Sequence, residues 1–219
     1  MPSTKIKICG LSTPETVDAA VEAGATHVGF VHYEPSPRHV SLELARSLSE
    51  RVPDPVKTVL LLVSMQAEDT GRALDAVQPD VVQFHGRETP EWAGFCRDNL
   101  PFEVWKAVGV KDAASLTKSL KYQGAVDRIL YDAPAQALPG GNGVAVDWSL
   151  LAGHDPGLPW GLAGGLTPEN VADAISQTGA PLVDTSSGVE SAPGVKDIDK
   201  IRAFCQAALQ PETTGQKHG

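Results

Sequence analysis

Short β-rich runs and helical runs take turns along the whole chain, and this alternation restricts the fold more than any single residue. The β-rich runs are KIKICG, THVGFVHY, VKTVLLLV, DVVQFHG, FEVWKAVGV, DRILYDA, LPWGLAGG and APLVDTSSG. Between and after them lie PETVDAAVEAG, SLELARSLSERV, AEDTGRALDAVQ, PEWAGFCRDNL, DAASLTKSLKYQG, DWSLLAG, PENVADAISQTG and DIDKIRAFCQAAL, each with helical spacing of its apolar residues. Eight runs of each kind, none doubled and none skipped, spell parallel strands joined by crossover helices. In 219 residues that count predicts one α/β domain, a (β/α)8 TIM barrel with a closed parallel eight-stranded sheet inside a ring of helices. The barrel is expected over residues 1–210, with a polar, frayed tail over 211–219. An open doubly wound sheet is the rival architecture, but it would carry fewer strands in this length.

Local chemistry supports the helix starts. The tripeptide Thr-Pro-Glu occurs at Thr13–Glu15, Thr89–Glu91 and Thr167–Glu169. In each, Thr suits the cap, Pro the first helical position, and Glu the positive end of the helix dipole.

Composition excludes several classes of function. Eighteen Lys and Arg against 27 Asp and Glu give a formal charge of −9, so the long-range field repels nucleic acid and anionic membranes. An anionic ligand therefore needs a local site. Cys9, Cys96 and Cys205 are odd in number and lack metal-ligand spacing, which points to a reducing compartment without a disulfide framework or a metal site. The beginning MPSTKIKICG has no apolar signal core, and VLLLV is too short to span a bilayer, so a cytoplasmic location is expected.

In a barrel of this kind the chemistry gathers at the C-terminal ends of the strands. Those ends carry Cys9, Arg38 in EPSPRHV, Gln83 and His85 in QFHG, Asp132, Gly164 and Gly165 in AGGL, and Asp184, Ser186, Ser187 and Gly188 in DTSSG. Strand parity puts Ile6 and Ile8 on the helix side, which turns Lys7 and Cys9 inward. The same argument places Asp132 on the face of Leu130, and Gln83 with His85. Gly164, Gly165, Ser187 and Gly188, on the loops after strands 7 and 8, have the makings of a phosphate cradle built from backbone N–H groups. By residue type alone the others stay open. Cys9 could be a small packing residue, Asp132 a cap, His85 a structural histidine and Arg38 a solvated charge. Cys96 and Cys205 fall within helical patterns and read as packing residues.

Taken in order, KICGL, SPRHVS, VQFHG, YDA followed by GGNGVAVDW, LAGGLTPENV and VDTSSGVE resemble phosphoribosylanthranilate isomerase, from Lys5 to about Glu190. The resemblance implies an Amadori rearrangement of a small phosphorylated substrate, N-(5-phosphoribosyl)anthranilate, to 1-(2-carboxyphenylamino)-1-deoxyribulose 5-phosphate, with no cofactor. It makes Cys9 the general base and Asp132 the general acid. Arg38 would pair with the anthranilate carboxylate, and Gly164, Gly165, Ser187 and Gly188 would hold the phosphate. Asp184 would touch the sugar, with Gln83 and His85 lining the floor. A thiol serving as base calls for a lowered pKa, for which Lys7 is the nearby cation. The loop PGGNGVAVDW is expected to cover the pocket. Val146, Val144, His32 and Glu34 depart from residues common in the family. Monomer and homodimer are left open by the sequence.

Two other readings compete. Another sugar-phosphate barrel, an epimerase or an aldolase, would want metal ligands at strand ends or an inward lysine, for which Lys106 is the one candidate. A non-catalytic phosphometabolite binder would need no proton-transfer pair.

Overall fold

The computed structural model describes residues 4–133 and 146–209, and the expected tail and most of the expected covering loop lie outside them. Eight parallel strands close in sequence order: β1 (Lys5–Cys9), β2 (His27–His32), β3 (Lys57–Leu62), β4 (Val81–Phe84), β5 (Glu103–Gly109), β6 (Arg128–Asp132), β7 (Trp160–Leu162) and β8 (Leu182–Thr185). β8 returns to β1 through the register Lys5↔Leu182 to Ile8↔Thr185, so the sheet has no edge. The closed barrel is the predicted one.

Two shells of side chains follow from the pleat. Val59, Val81, Trp105, Ala107, Leu130 and Leu182 fill the barrel interior. Ile6, Ile8, Phe30, Leu60, Phe84, Ile129 and Tyr131 lie outside the sheet, in the larger cluster shared with the helices. Cys9 belongs to a third cluster with Val31 and Leu61, nearer the C-terminal mouth. The parity assignments for Ile6, Ile8, Cys9 and Leu130 hold.

The outer layer contains α1 (Pro14–Glu22), α2 (Leu42–Ser49), α3 (Ala67–Val77), α4 (Pro90–Asn99), α5 (Ala113–Ser119), α6 (Val171–Thr178) and α7 (Ile198–Leu209). Thr13 and Thr89 cap α1 and α4 by accepting from the amides of Thr16 and Trp92, with Pro in the first turn, as predicted. The third Thr-Pro-Glu differs. It sits a turn ahead of α6, where the Thr167 amide donates to Asn170 Oδ1. The segment DWSLLAG differs too, forming only a single 3-10 turn, Trp148–Leu150. Asp147 Oδ1 takes both the amide and the hydroxyl of Ser149, and Gly153 follows at φ 70°. The crossover from β6 to β7 thus has no α-helix among the described residues.

After β8 the chain makes a 3-10 turn, Ser187–Val189, and then an antiparallel hairpin of β9 (Glu190–Ala192) and β10 (Val195–Lys196) that the alternation did not foretell. Cys96 and Cys205 are fully buried in α4 and α7, where burial pushes their thiols up to about 11 and about 12. They pack, as expected.

Candidate active site

The C-terminal mouth holds one pocket that gathers every strand-end residue singled out in the sequence. Cys9, Arg38, Gln83, His85, Asp132, Asp184, Gly164, Gly165, Ser187 and Gly188 all line it, with Val31, Tyr33 and Leu61 as its apolar wall. Cys9 retains only 5% of its exposure, yet it opens onto the same space as Asp132 and the glycines.

Close approach of backbone explains the glycines. A Cβ on Gly164 would stand 2.4 Å from the Ala133 amide nitrogen and 2.9 Å from Asp132 Oδ1. Only a glycine lets the β7 loop press against the end of β6. A Cβ on Gly188 would stand 1.9 Å from the carbonyl oxygen of Leu166, so the loops after β7 and β8 touch there. Thr185 Oγ1 donates to that same carbonyl at 2.7 Å. The two loops form a joined cradle of backbone groups at one end of the pocket.

The carboxyl of Asp132 is fixed at both oxygens. Oδ1 accepts the Ala133 amide at 2.7 Å, and Oδ2 lies 3.1 Å from His85 Nε2. His85 is therefore partner to Asp132, a role that its place in the sequence did not reveal. Gln83 is almost wholly buried, and its Oε1 has no hydrogen-bond partner among the described residues. An orphaned acceptor on a residue that lines a pocket is a candidate partner for a ligand hydroxyl.

Below Cys9 lies an ion pair. Lys7 Nζ donates to both oxygens of Asp184 at 3.0 Å, and Lys7 is fully buried. The point where a Gly29 side chain would sit is 3.1 Å from Cys9 Sγ and 3.3 Å from Lys7 Cε, so the absent side chain lets the two approach. Burial works against the Lys7 cation, but Asp184 and Cys9 outweigh it and its pKa stands above the ordinary lysine value. The thiol differs from expectation. Burial pushes Cys9 up, and Lys7, which pulls the other way, does not overcome it.

Lys106 does not serve as an inward lysine. Its strand neighbours Trp105 and Ala107 face the interior, while its own ammonium bonds Glu88 Oε2 at 3.1 Å and the carbonyls of Phe84 and Gly86. Arg38 is not a solvated charge either, since Nε and Nη2 donate to the two oxygens of Glu190 at 2.7 and 2.8 Å. Glu190 and Lys196, both on the hairpin, hold the pocket residues Arg38 and Ser186 from behind, and sequence reasoning missed them. The signal was present in the Pro193–Gly194 turn between two short polar runs.

A barrel mouth that can seat an anion at one end and exchange protons at the other defines the class of phosphate-binding (β/α)8-barrel enzymes that work by acid–base chemistry. Residues 6–207 match the family model described as N-(5'phosphoribosyl)anthranilate (PRA) isomerase. The chain is 67% identical over 205 residues to the N-(5'-phosphoribosyl)anthranilate isomerase of Erythrobacter litoralis, covering 94% of this chain and 98% of that protein. The crystal structure of phosphoribosyl anthranilate isomerase from Thermotoga maritima superposes with a TM-score of 0.86 at 36% identity, covering 94% of this chain and 98% of that one. A further structure of such an enzyme, in complex with reduced 1-(o-carboxyphenylamino)-1-deoxyribulose 5-phosphate, superposes with a TM-score of 0.83 at 36% identity, over the same shares of both chains. The chain belongs to the N-(5'-phosphoribosyl)anthranilate isomerase family.

Proposed function

We propose that this isomerase carries out the Amadori rearrangement of N-(5-phosphoribosyl)anthranilate with Asp132 as general acid and Cys9 as general base. The observation that carries the assignment is that this carboxyl and this thiol open onto one pocket, beside a cradle of backbone groups fit for the 5-phosphate.

The reaction runs in two halves. Asp132 gives its proton to the furanose ring oxygen, the carbon–oxygen bond breaks, and the anilino nitrogen becomes an iminium. Cys9, as thiolate, then takes the proton from the sugar's second carbon, which leaves a neutral enolamine. The thiol returns a proton to the first carbon while the second-carbon hydroxyl gives one back to Asp132. The second carbon ends as a ketone, the first as an amine-bearing methylene, and the enzyme is regenerated with no net proton gained or lost.

The surroundings support each role. Burial holds the Cys9 thiol mostly protonated at neutral pH, so the reactive thiolate is a minor form that the Lys7 cation sustains. Gln83 Oε1 is free to accept from a sugar hydroxyl, and His85 orients Asp132. Asp184, locked to Lys7, borders the sugar-binding floor. Arg38 meets the anthranilate carboxylate with the donors that Glu190 leaves unused. Gly164, Gly165, Ser187 and Gly188 take the phosphate through backbone dipoles, a local solution in a chain of net charge −9.

Decay of substrate fluorescence tests the pair. Cys9→Ser and Asp132→Asn should each lower kcat by about 10²- to 10⁴-fold. Both variants should fold and bind the reduced product analogue as the parent does. Parent-like turnover in either would remove that residue from its role.

A further inference from the structure

The β9–β10 hairpin packs against the loop that carries Arg38, behind the pocket. Glu190 Oε1 and Oε2 accept from Arg38 Nε and Nη2 in a fork-to-fork pair, at 2.7 and 2.8 Å. Lys196 Nζ donates to Glu190 Oε1 at 2.7 Å from a side chain with no exposure. The amide of Gly194 donates to Glu190 Oε2 at 3.2 Å, and a Cβ at Gly194 would stand 2.2 Å from the carbonyl oxygen of Pro37. The tip of the hairpin is therefore seated directly on the Arg38 loop.

We infer that Glu190, backed by Lys196, is a positioning residue that presents Arg38 to the carboxylate of the substrate's ring and so sets the preference for a carboxylated amine. The inference rests on the reading that Arg38 meets that carboxylate.

Three observations support it. Arg38 has five N–H donors and spends two of them on Glu190, which leaves the Nη1 side of the fork for a ligand in the pocket it lines. Fixing a long side chain before the ligand arrives removes an ordering cost from binding. Two cations around one carboxylate leave a net positive charge, so the cluster attracts an anion while each of its members is paired. The hairpin also fixes distance. Lys196 Nζ donates to the carbonyl and hydroxyl of Ser186, and Ser186 Oγ donates to the Cys9 carbonyl at 3.0 Å. The carboxylate fork, the phosphate-side loop and the base are thus held in one frame, matched to a substrate with an anion at each end.

Calorimetry with two stable ligands tests this: the reduced carboxyphenylamino product analogue and its phenylamino counterpart without the carboxyl group. Glu190→Gln should weaken the carboxylated analogue about tenfold or more and the phenylamino one less than about threefold. In turnover it should raise KM by a similar factor and leave kcat within about threefold. Equal losses on both ligands would mean a merely structural role, and no loss on either would mean no role. Both overturn the inference. Arg38→Ala separates this from the underlying reading. If it keeps the full preference for the carboxylated ligand, Arg38 does not meet the carboxylate, whatever Glu190 does. Lys196→Met leaves both Arg38–Glu190 hydrogen bonds in place and repeats the comparison should Glu190→Gln fail to fold. It should show a smaller selective loss, about threefold, and an unselective loss or none would again overturn the inference.

Discussion

Adding one methyl group at Gly188 should disable the pocket without replacing any polar side chain. The Cβ of Gly188→Ala would lie 1.9 Å from the Leu166 carbonyl oxygen and 2.9 Å from both its carbon and Thr185 Oγ1, whereas ordinary contact begins at 3.4 Å. The carbonyl cannot swing aside freely, because it accepts the Thr185 hydroxyl at 2.7 Å. The 3-10 turn after β8 must then retreat by roughly 1.5 Å, the gap between 1.9 and 3.4 Å, and the two halves of the cradle come apart. A retreat of that size takes an N–H···O contact of about 2.9 Å beyond hydrogen-bonding range. Losing one or two such bonds to a charged group costs about 2–4 kcal/mol, which corresponds to roughly 30- to 1000-fold in affinity. Overpacking should cost the fold about 1–3 kcal/mol. Binding of inorganic phosphate and of the reduced product analogue, read by calorimetry beside urea unfolding, separates the two effects. A folded Gly188→Ala protein that binds both ligands like the parent would refute the cradle and the steric reasoning together.

Further expectations follow from the same structure. Lys7 is a cause that lowers the Cys9 pKa, so Lys7→Met should move the alkaline-rising limb of kcat/KM to higher pH and cut the rate at pH 7 about tenfold; an unmoved limb would exclude Lys7 from base activation. The same variant leaves Asp184 buried without its partner and should lose about 3–5 kcal/mol by urea unfolding. His27 is buried against Trp105, with ring centroids 5.0 Å apart, and burial with help from the Arg128 and Lys7 charges lowers its pKa from 6.5 to about 3. Because the unfolded chain binds this proton more readily, His27's contribution is fully present above pH 6.5. It should drain away as pH falls towards 3, by up to roughly 4 kcal/mol, and a flat profile from pH 7 to 4 would contradict the burial argument. Gly71 lies within α3 with nothing within 4 Å of its would-be Cβ, so Gly71→Ala should stabilise the protein by about 0.5–1 kcal/mol and leave turnover unchanged.

The alternation of runs was enough for the barrel, because period-2 and period-3.6 patterning are both local properties of a chain. Parity likewise turned Cys9 and Asp132 into the cavity, since a strand has only two faces. DWSLLAG shows where local pattern misleads. Its apolar spacing suits a helix, but Asp147 draws the Ser149 amide and hydroxyl into a tight turn.

What the sequence determined by itself was the order of strands, the inward set of polar residues and the glycine-rich loops that line the pocket, all of which depend on neighbours a few positions apart. Only the tertiary structure decided the rest. His85 meets Asp132 across 47 positions, Lys7 meets Asp184 across 177, and Arg38 meets Glu190 across 152. It also reversed the expected direction for Cys9, whose thiol burial raises despite the cation beside it. Charge pairing and desolvation act through space, and closing the barrel is what makes those residues neighbours.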